Sequence, residues 1–344
     1  MAAAVHTPSG IREKVSWWFE RAGLHTVLGS LPKQKVLLIL NYHRIGHAER
    51  WPYDPDIFSA TPEELDEHVR FLKGHLEFID LAAALELASG ARPWRGPAAL
   101  ITFDDGYRDS FDFAFPILRR HNVQGVFFLP TSFVGTNRLP WWDTVAYIVR
   151  NSRTPVLHMD YPTPRDLDFR PPAFDASLQT LLKAYKASKL DSERFLSALE
   201  NAAGVGRPDG HQDRLFVNWT EAREMLRGGM AIGSHTHSHE ILSTLTPEEQ
   251  LQELTQSRAL IEKNLGATVD TIAYPVGQRT SFSQVTQDAA RQAGYRGAFS
   301  FYGGVNLPAR TNRFDILRCG VDRPLPERLR LQILSGAVFR KFWP

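Results

Sequence analysis

Two adjacent carboxylates are the first residues of this chain with an evident capacity for chemistry. Asp104 and Asp105 lie in the segment TFDDG (102–106), directly after an apolar run. Carboxylates at the end of a buried strand are costly unless something binds them. Adjacent carboxylates can also divide their roles, one ligating a cation while the other accepts a proton. Because Asp-Gly is equally typical of a solvated turn, this segment alone leaves both interpretations open.

A second cluster contains three histidines within five residues. His235, His237 and His239 lie in GSHTHSH (233–239), in a chain that has only 12 histidines. His235 and His239 are four residues apart, so on a helical turn they would share one face, as the histidines of zinc motifs do. His237 would then point elsewhere. The alternative is a surface loop rich in Ser and Thr with three solvated histidines.

Two weaker features occupy similar positions. His43 follows the first apolar run, within NYHR (41–44), and the segment YPVG (274–277) follows a later one. A lone histidine is usually structural, and YPVG alone indicates only a turn. Their shared placement after apolar runs is what makes them candidates.

Alternating strands and helices must position these clusters. Predicted strands cover 35–42, 98–103, 125–130, 230–234, 268–274, 296–301 and 316–321, with predicted helices from 61, over 107–121, 219–227, 246–265 and 281–293. This alternation predicts a parallel sheet or an α/β barrel. Every cluster lies at the carboxyl end of a strand, where barrel active sites are built. Residues 137–215 lack strand alternation and predict a partly helical insertion.

Composition narrows the functional classes. The 344 residues, 43% apolar and 23% charged, indicate a globular protein of about two domains or one barrel with insertions. Forty Lys and Arg against 38 Asp and Glu give a net charge of +2, which argues against a nucleic-acid partner. The single cysteine, Cys319, excludes an intramolecular disulfide and a Cys-rich zinc module.

The order of the motifs resembles the polysaccharide deacetylases, the NodB-homology or carbohydrate esterase family 4 enzymes. TFDDG is followed about 130 residues later by H-T-x-x-H, and then by Y-P-x-G. The opening NYHRI is similar to the branch that includes the biofilm poly-N-acetylglucosamine deacetylases. The resemblance covers about residues 35–323. It implies an α/β fold, a distorted (β/α) barrel, and metal-dependent hydrolysis of the acetamide of an N-acetylated oligo- or polysaccharide.

The resemblance also implies site roles. Asp104 would be the general base, and Asp105, His235 and His239 would ligate a divalent metal, with Zn expected and Co, Ni or Fe as alternatives. One carboxylate and two neutral imidazoles leave positions open for water and substrate. Such an ion lowers the pKa of water and polarises a carbonyl. The backbone N–H of Val276 would donate to the oxyanion.

Two departures from the family pattern stand out. The third motif usually carries an Arg two residues before its Pro, where this chain has Ala273; Arg318, on the last predicted strand, is a candidate replacement. The family's late Leu-x-His motif is missing, since no histidine follows His239. The biofilm branch resembles a permuted arrangement in which an early histidine serves as the acid, and His43 fits that place.

Two other classes of protein compete with this interpretation. An Asp-His-His set also occurs in ferrous oxygenases, but those sites usually lie on β-sandwiches and do not explain a second Asp. A catalytically inactive deacetylase-like barrel could serve as a carbohydrate-binding or scaffold protein. The missing third-motif Arg favours that reading, whereas the intact acids and histidines oppose it.

The chain ends add a membrane hypothesis. Residues 1–34 contain an amphipathic segment and 324–344 a basic and aromatic tail, flanking the predicted catalytic domain over 35–323. Such segments suit an anionic membrane surface; alternatively, they cover the barrel. With no secretory signal pattern at the start, we expect a cytoplasmic protein, with peripheral contact to the inner membrane surface if the first alternative holds. A lipid-linked saccharide would then be a suitable substrate.

Overall fold

The structure, a computed structural model, describes residues 35–186, 190–308 and 310–321. The predicted amphipathic segment (1–34) and the predicted tail (324–344) lie outside the described residues, so membrane contact stays a prediction. Within the described ranges, no helix is both long enough and apolar enough to cross a bilayer.

A parallel sheet forms the centre of the molecule. The strands in chain order are β1 (Leu37–Tyr42), β2 (Arg44–Ile45), β3 (Phe58–Ala60), β4 (Glu77–Phe78), β5 (Ala98–Phe103), β6 (Gly125–Leu129), β7 (Val156–Met159), β8 (Arg165–Asp168), β9 (Ala231–Ser234), β10 (Thr271–Ala273), β11 (Gly297–Phe299) and β12 (Cys319–Gly320). The order across the sheet is β11-β10-β9-β6-β5-β1-β12, with β4 beside β5, and every pairing is parallel. The carboxyl ends of these strands therefore meet at one rim.

The last described segment connects the two edges of this sheet. Ile316 N donates to Ala298 O (2.9 Å), and Ser300 N donates to Ile316 O (3.0 Å), next to β11. Cys319 then pairs with Leu40 of β1. The predicted strand over 316–321 is thus regular only at its end, because it leaves β11 to reach β1. The predicted fold class, a distorted (β/α) barrel, is confirmed.

Nine α-helices of the described chain surround the sheet or belong to the insertion. They are α1 (Pro62–Lys73), α2 (Leu81–Ser89), α3 (Phe115–His121), α4 (Trp141–Arg150), α5 (Phe174–Tyr185), α6 (Ser192–Ala203), α7 (Trp219–Arg227), α8 (Pro247–Leu265) and α9 (Gln284–Gln292). Capping boxes begin α1 at Thr61 and α8 at Thr246, each followed by Pro at the first helical position. The predicted helix over 107–121 is instead a π-helix (Ser110–Ala114) that continues as α3.

Strand β1 shows how the core positions the site. All six of its residues are buried, as its continuous apolar run predicts for a strand covered on both faces. Leu37 and Ile39 belong to an apolar cluster that includes Leu85 of α2, so α2 closes the amino-terminal end of the barrel. Side chains on a strand alternate between faces, which places Asn41 on the same inner face, one step closer to the opposite rim.

The segment between β6 and α7 forms a second apolar core. Helices α4, α5 and α6 pack there with residues of barrel loops such as Tyr53 and Tyr107. The prediction that this segment has no alternating strand is wrong for β7 and β8, which pair antiparallel. Two four-residue strands joined by a proline-rich turn are too short to show a clear period.

Asp143 connects this insertion to the barrel. Its buried carboxylate accepts hydrogen bonds from Trp51 Nε1 and Tyr107 Oη, both at 3.1 Å. Burial raises the pKa of Asp143 to about 7, against the opposing effects of Trp51, Arg44 and Tyr107. The contribution of this group to stability is therefore full below its ordinary pKa and is lost as the pH rises towards 7.

We expect Asp143→Asn to remove this pH dependence. Between pH 5 and pH 8, the unfolding free energy of the parent protein should fall by roughly 2–3 kcal/mol relative to that of the variant. Urea unfolding at both pH values measures it, with Asp175→Asn, on the exposed face of α5, as the control. A difference that does not change with pH would contradict the assignment.

Candidate active site

Three buried side chains converge at the rim of the barrel. Asp105 follows β5, and His235 and His239 follow β9. Asp105 Oδ1 lies 3.4 Å from His235 Nε2 and 3.3 Å from His239 Nε2. One ligand atom from each of the three falls within 4.8 Å of the others. The structure thus brings together the three predicted metal ligands.

The hydrogen bonds of His235 fit a metal-ligand role. Its Nδ1 lies 2.8 Å from the carbonyl oxygen of Ala273. Because a carbonyl can only accept, Nδ1 carries the proton, and in the neutral ring Nε2 presents its lone pair to Asp105 and His239. A backbone carbonyl behind a histidine is a common way to fix a metal ligand. The donor set of two imidazoles and one carboxylate suits zinc and neighbouring divalent ions.

The histidine segment is a loop, so the predicted helical turn is wrong. Thr236 and His239 adopt left-handed conformations, with φ of 66° and 63°. Ser234 Oγ accepts from Thr236 N (3.2 Å), and Thr236 Oγ1 accepts from His239 N (3.1 Å). These short-range bonds fold the loop back on itself, which brings the two histidines together without a shared helical face.

His237 points away from the metal-ligand group. Its Nδ1 contacts Thr131 Oγ1 at 2.8 Å, and its Nε2 contacts Gln256 Nε2 at 3.1 Å. The structure therefore offers a matched pair of histidines on one loop, with His239 beside Asp105 and His237 bonded to neighbouring elements.

We expect His239→Ala to lose most of its bound metal, because the change removes one of three protein ligands. His237→Ala should keep its metal, since that ring makes only peripheral hydrogen bonds. Metal content after dialysis, measured by elemental analysis for both variants and the parent protein, gives the comparison. Equal loss in the two variants would show that the ligands have been assigned wrongly.

Glu253 of α8 holds the histidine loop in place. Its Oε2 accepts from His237 N (2.9 Å) and Ser238 N (2.8 Å), while its Oε1 accepts from Ser238 Oγ (2.7 Å). These bonds tie the middle of the loop to a long helix. Glu253 therefore restrains His235 and His239, the predicted metal ligands on either side of these residues, through the backbone between them.

Glu253→Ala is expected to weaken metal affinity by about 10- to 100-fold, the usual effect of removing a residue that supports metal ligands. Competition with a chromogenic chelator measures the dissociation constant. Glu248→Ala, which removes an exposed acid of the same helix, should leave it unchanged. Glu253→Gln should restore much of the affinity, because its amide oxygen still accepts from the backbone.

The second carboxylate is held by an unusually complete set of donors. Arg318 NH1 and NH2 donate to Asp104 Oδ1 (2.7 Å) and Oδ2 (2.8 Å), and Asn41 Nδ2 donates to Oδ2 (3.0 Å). Arg318 is fully buried, and its Nε donates to Ser300 O (3.0 Å). Arg318 thus lies where an orienting group for Asp104 is needed.

These contacts set the charge state of Asp104. Burial acts to raise its pKa, but Arg318 and His235 outweigh burial and hold the pKa below its usual value. Asp104 Oδ2 also lies 4.0 Å from His235 Nε2. The result is an ionised acceptor, fixed in orientation, next to the metal-ligand group.

Sequence reasoning missed Asn41. Its Oδ1 accepts from Thr102 Oγ1 and from Arg318 NH1, both at 2.7 Å, so it connects β1, β5 and the last segment beneath Asp104. The available signal was an amide side chain at the end of a run of five aliphatic or apolar residues. A buried amide of that kind requires partners.

His43 and Val276 complete the rim. Both line a cleft of about 470 Å³ together with Asp104, Asp105, His235 and His239. The His43 ring meets Phe301 edge-on, with centroids 5.4 Å apart. Burial lowers the pKa of His43, while Asp105 and Asp104 act in the opposite direction. The structure places both predicted residues in the cleft, and their roles stay predictions.

Backbone strain is concentrated at this cleft. Of the five described non-glycine residues with positive φ, Asp105, His239 and Val276 line it, and Thr236 lies in the histidine loop beside it. Each left-handed L-residue costs on the order of 1 kcal/mol. Val276 precedes Gly277 (φ 63°), where a Cβ would lie 2.5 Å from Phe301 N, so this turn requires glycine. Strain clustered in this way indicates a functional site.

The insertion supplies an aromatic wall. Trp141 and Trp142 line the cleft, and the Trp142 ring meets the His239 ring edge-on at 4.9 Å. Trp142 Nε1 donates to Tyr107 Oη (2.9 Å). This hydrogen bond fixes the indole against the ring of His239, a predicted metal ligand. The insertion is therefore part of the site.

Comparison with known proteins gives the class. The polysaccharide deacetylase family signature matches residues 92–158 and 167–298, more than half of the chain. The chain belongs to the polysaccharide deacetylase family, a family of carbohydrate hydrolases, and the family predicted from the motifs is confirmed. The ferrous-oxygenase alternative is typical of β-sandwiches, whereas this structure is a parallel barrel.

Individual relatives are distant. The Bacillus subtilis (strain 168) protein YxkH, assigned to the polysaccharide deacetylases, is 23% identical over 268 residues, which are 77% of this chain and 64% of YxkH. The chain thus spans less than two thirds of that relative. The Streptococcus pyogenes deacetylase PplD has a TM-score of 0.57 at 15% identity, covering 87% of this chain and 98% of PplD. IcaB from Ammonifex degensii has a TM-score of 0.56 at 17% identity, covering 89% and 99%. These structures share the fold.

Proposed function

We propose that this protein is a metal-dependent hydrolase that removes acetyl groups from N-acetylated sugars of a polysaccharide or a lipid-linked saccharide. One observation carries the proposal. A buried metal-ligand group, Asp105 with His235 and His239, lies beside a separate carboxylate, Asp104, that is clamped by Arg318, and all line one open cleft. A structural ion pair alone would not need the second carboxylate at the rim.

The ligand group fits a divalent ion, with Zn expected and Co, Ni or Fe as alternatives. When bound, such an ion acts as a Lewis acid towards the acetamide carbonyl and water. Asp105 and the two histidines would hold it, and the Ala273 carbonyl would keep His235 in the required tautomer.

The remaining steps fall to this chain's own residues. Asp104 accepts the proton of the attacking water, and Arg318 and Asn41 keep its carboxylate turned towards the rim. The N–H of Val276 donates to the developing oxyanion. His43 donates a proton to the departing amine. Trp141 and Trp142 offer apolar surface to a sugar ring.

Metal analysis joined to an acetate-release screen tests the proposal. The purified protein is assayed against N-acetylated mono- and oligosaccharides before and after chelation, and then after adding back single metals. Acetate release that follows metal occupancy is expected. Saccharide binding without acetate release at any metal would instead favour the inactive carbohydrate-binding alternative.

A further inference from the structure

The cleft wall formed by α5 carries two lysines, Lys183 and Lys186, that form no ion pair with a described residue. We propose that Lys183 and Lys186 bind an anionic group of the saccharide, a carboxylate or a phosphate, so that the protein acts on acidic N-acetylated saccharides. The inference rests on the proposed function and names the substrate class of the same cleft.

Position is the first argument. Lys183 lies in the last turn of α5 and Lys186 follows its end. Residues three apart on a helix lie on one face, and both side chains line the cleft that holds Asp104 and the metal-ligand group. Both are exposed to solvent, so a ligand can reach their ammonium groups.

The hydrogen-bond partners of the charged wall give the second argument. The two acids that line the same wall have partners: Asp54 Oδ1 accepts from Asp56 N (3.1 Å), and Asp56 Oδ2 accepts from Gln179 Nε2 (2.9 Å). Among the residues that the structure describes, neither lysine has an oxygen within hydrogen-bond or ion-pair distance. Both ammonium groups therefore lack a direct hydrogen-bond partner that a ligand anion could supply, whereas both acids already have one.

The surroundings of Lys186 favour an anion further. Its Nζ lies 5.8 Å from the centre of the Trp141 ring, above the aromatic surface on which a sugar would rest. Although its side chain reaches solvent, the surrounding cleft walls partly desolvate the ammonium of Lys186 and lower its pKa, and the carboxylates of Asp54 and Asp105 only partly oppose that effect. A ligand anion would offset the cost of keeping this ammonium charged.

Lysine chemistry leaves the kind of anion open. An ammonium is a point charge without the planar fork that arginine offers, so carboxylates and phosphates are both suitable. The experiment therefore contains one arm for each. Matched trisaccharides of N-acetylglucosamine are used in a neutral form, with one glucuronate, and with one phosphate ester.

The metal-loaded protein is assayed for acetate release on all three substrates. We expect KM to be about tenfold lower for at least one acidic substrate, consistent with two charge-assisted contacts. The double variant Lys183→Ala/Lys186→Ala should remove that advantage by raising KM for the acidic substrate about tenfold more than for the neutral one, and raised salt should act the same way. Lys183→Arg/Lys186→Arg should rescue it, and Lys263→Ala, exposed on α8, should have no effect.

Equal KM values for neutral and acidic substrates would overturn the proposal. A preference for partly deacetylated, cationic oligosaccharides would overturn it too. That result would indicate that Asp54 and Asp56, rather than the lysines, set the charge preference of this wall. Calorimetry of the same trisaccharides with Asp104→Asn protein measures their binding affinity, and so tests the role of the lysines independently of turnover. Failure of all turnover would therefore defeat the proposed function, while the binding data still decide the role of the lysines.

Discussion

Asp104→Asn is expected to keep its bound metal and to lose deacetylase turnover by at least about 10²-fold, the low end of a general-base contribution. The amide cannot accept a proton from water at neutral pH, yet it occupies nearly the same volume. Arg318 and Asn41 both donate to this position, so the variant keeps one of its two acceptors. Turnover of a simple N-acetylated oligosaccharide, together with metal content, measures the effect.

Arg318→Lys provides the companion variant. It keeps a positive charge at a buried position but loses the bidentate contact with Asp104, so turnover should fall less than in Asp104→Asn. Thermal unfolding of both variants separates lost chemistry from lost structure. Near-native turnover of a folded, metal-bound Asp104→Asn protein would remove Asp104 from the mechanism.

Much of the architecture could be read from local signals. The buried runs before Asp104, His235 and Val276 each predict a strand, and parallel strands bring their carboxyl ends to one rim. The capping residues Thr61 and Thr246 mark two helix starts where the structure has them. Each of these signals involves only a few consecutive residues, so it can be recognised from one sequence alone.

The supporting contacts could not be read in the same way. Asn41 and Arg318 are 277 residues apart and meet only because the last segment returns to β1. Glu253 reaches the histidine loop from a helix whose rotation no local pattern specifies. The histidine loop itself shows the limit of spacing arguments. Four-residue spacing selected the two histidines that the structure brings together, but left-handed Thr236 and His239 replace the expected helical turn.

His43 is the candidate acid because the departing amine needs a proton. An amine leaves poorly unless it is protonated as the tetrahedral intermediate collapses. His235 and His239 are assigned to the metal, and no histidine follows them in the chain. The guanidinium of Arg44 cannot give up a proton to the amine at neutral pH. His43 remains, at the end of β1, lining the same cleft as Asp104; burial lowers the pKa of its imidazole, and the carboxylates of Asp105 and Asp104 oppose that effect by favouring the protonated form.

We therefore expect His43→Ala to bind metal normally and to slow hydrolysis of N-acetyl sugars by about 10²-fold or more. Activated acetate esters, whose leaving groups have low pKa values, need no proton and should be affected far less. Rates on both substrate types, with metal content as the control, make the comparison within one variant. Equal loss on both would point to a structural or binding role, whereas a loss confined to the amide would identify His43 as the proton donor, since only the amine must be protonated to depart.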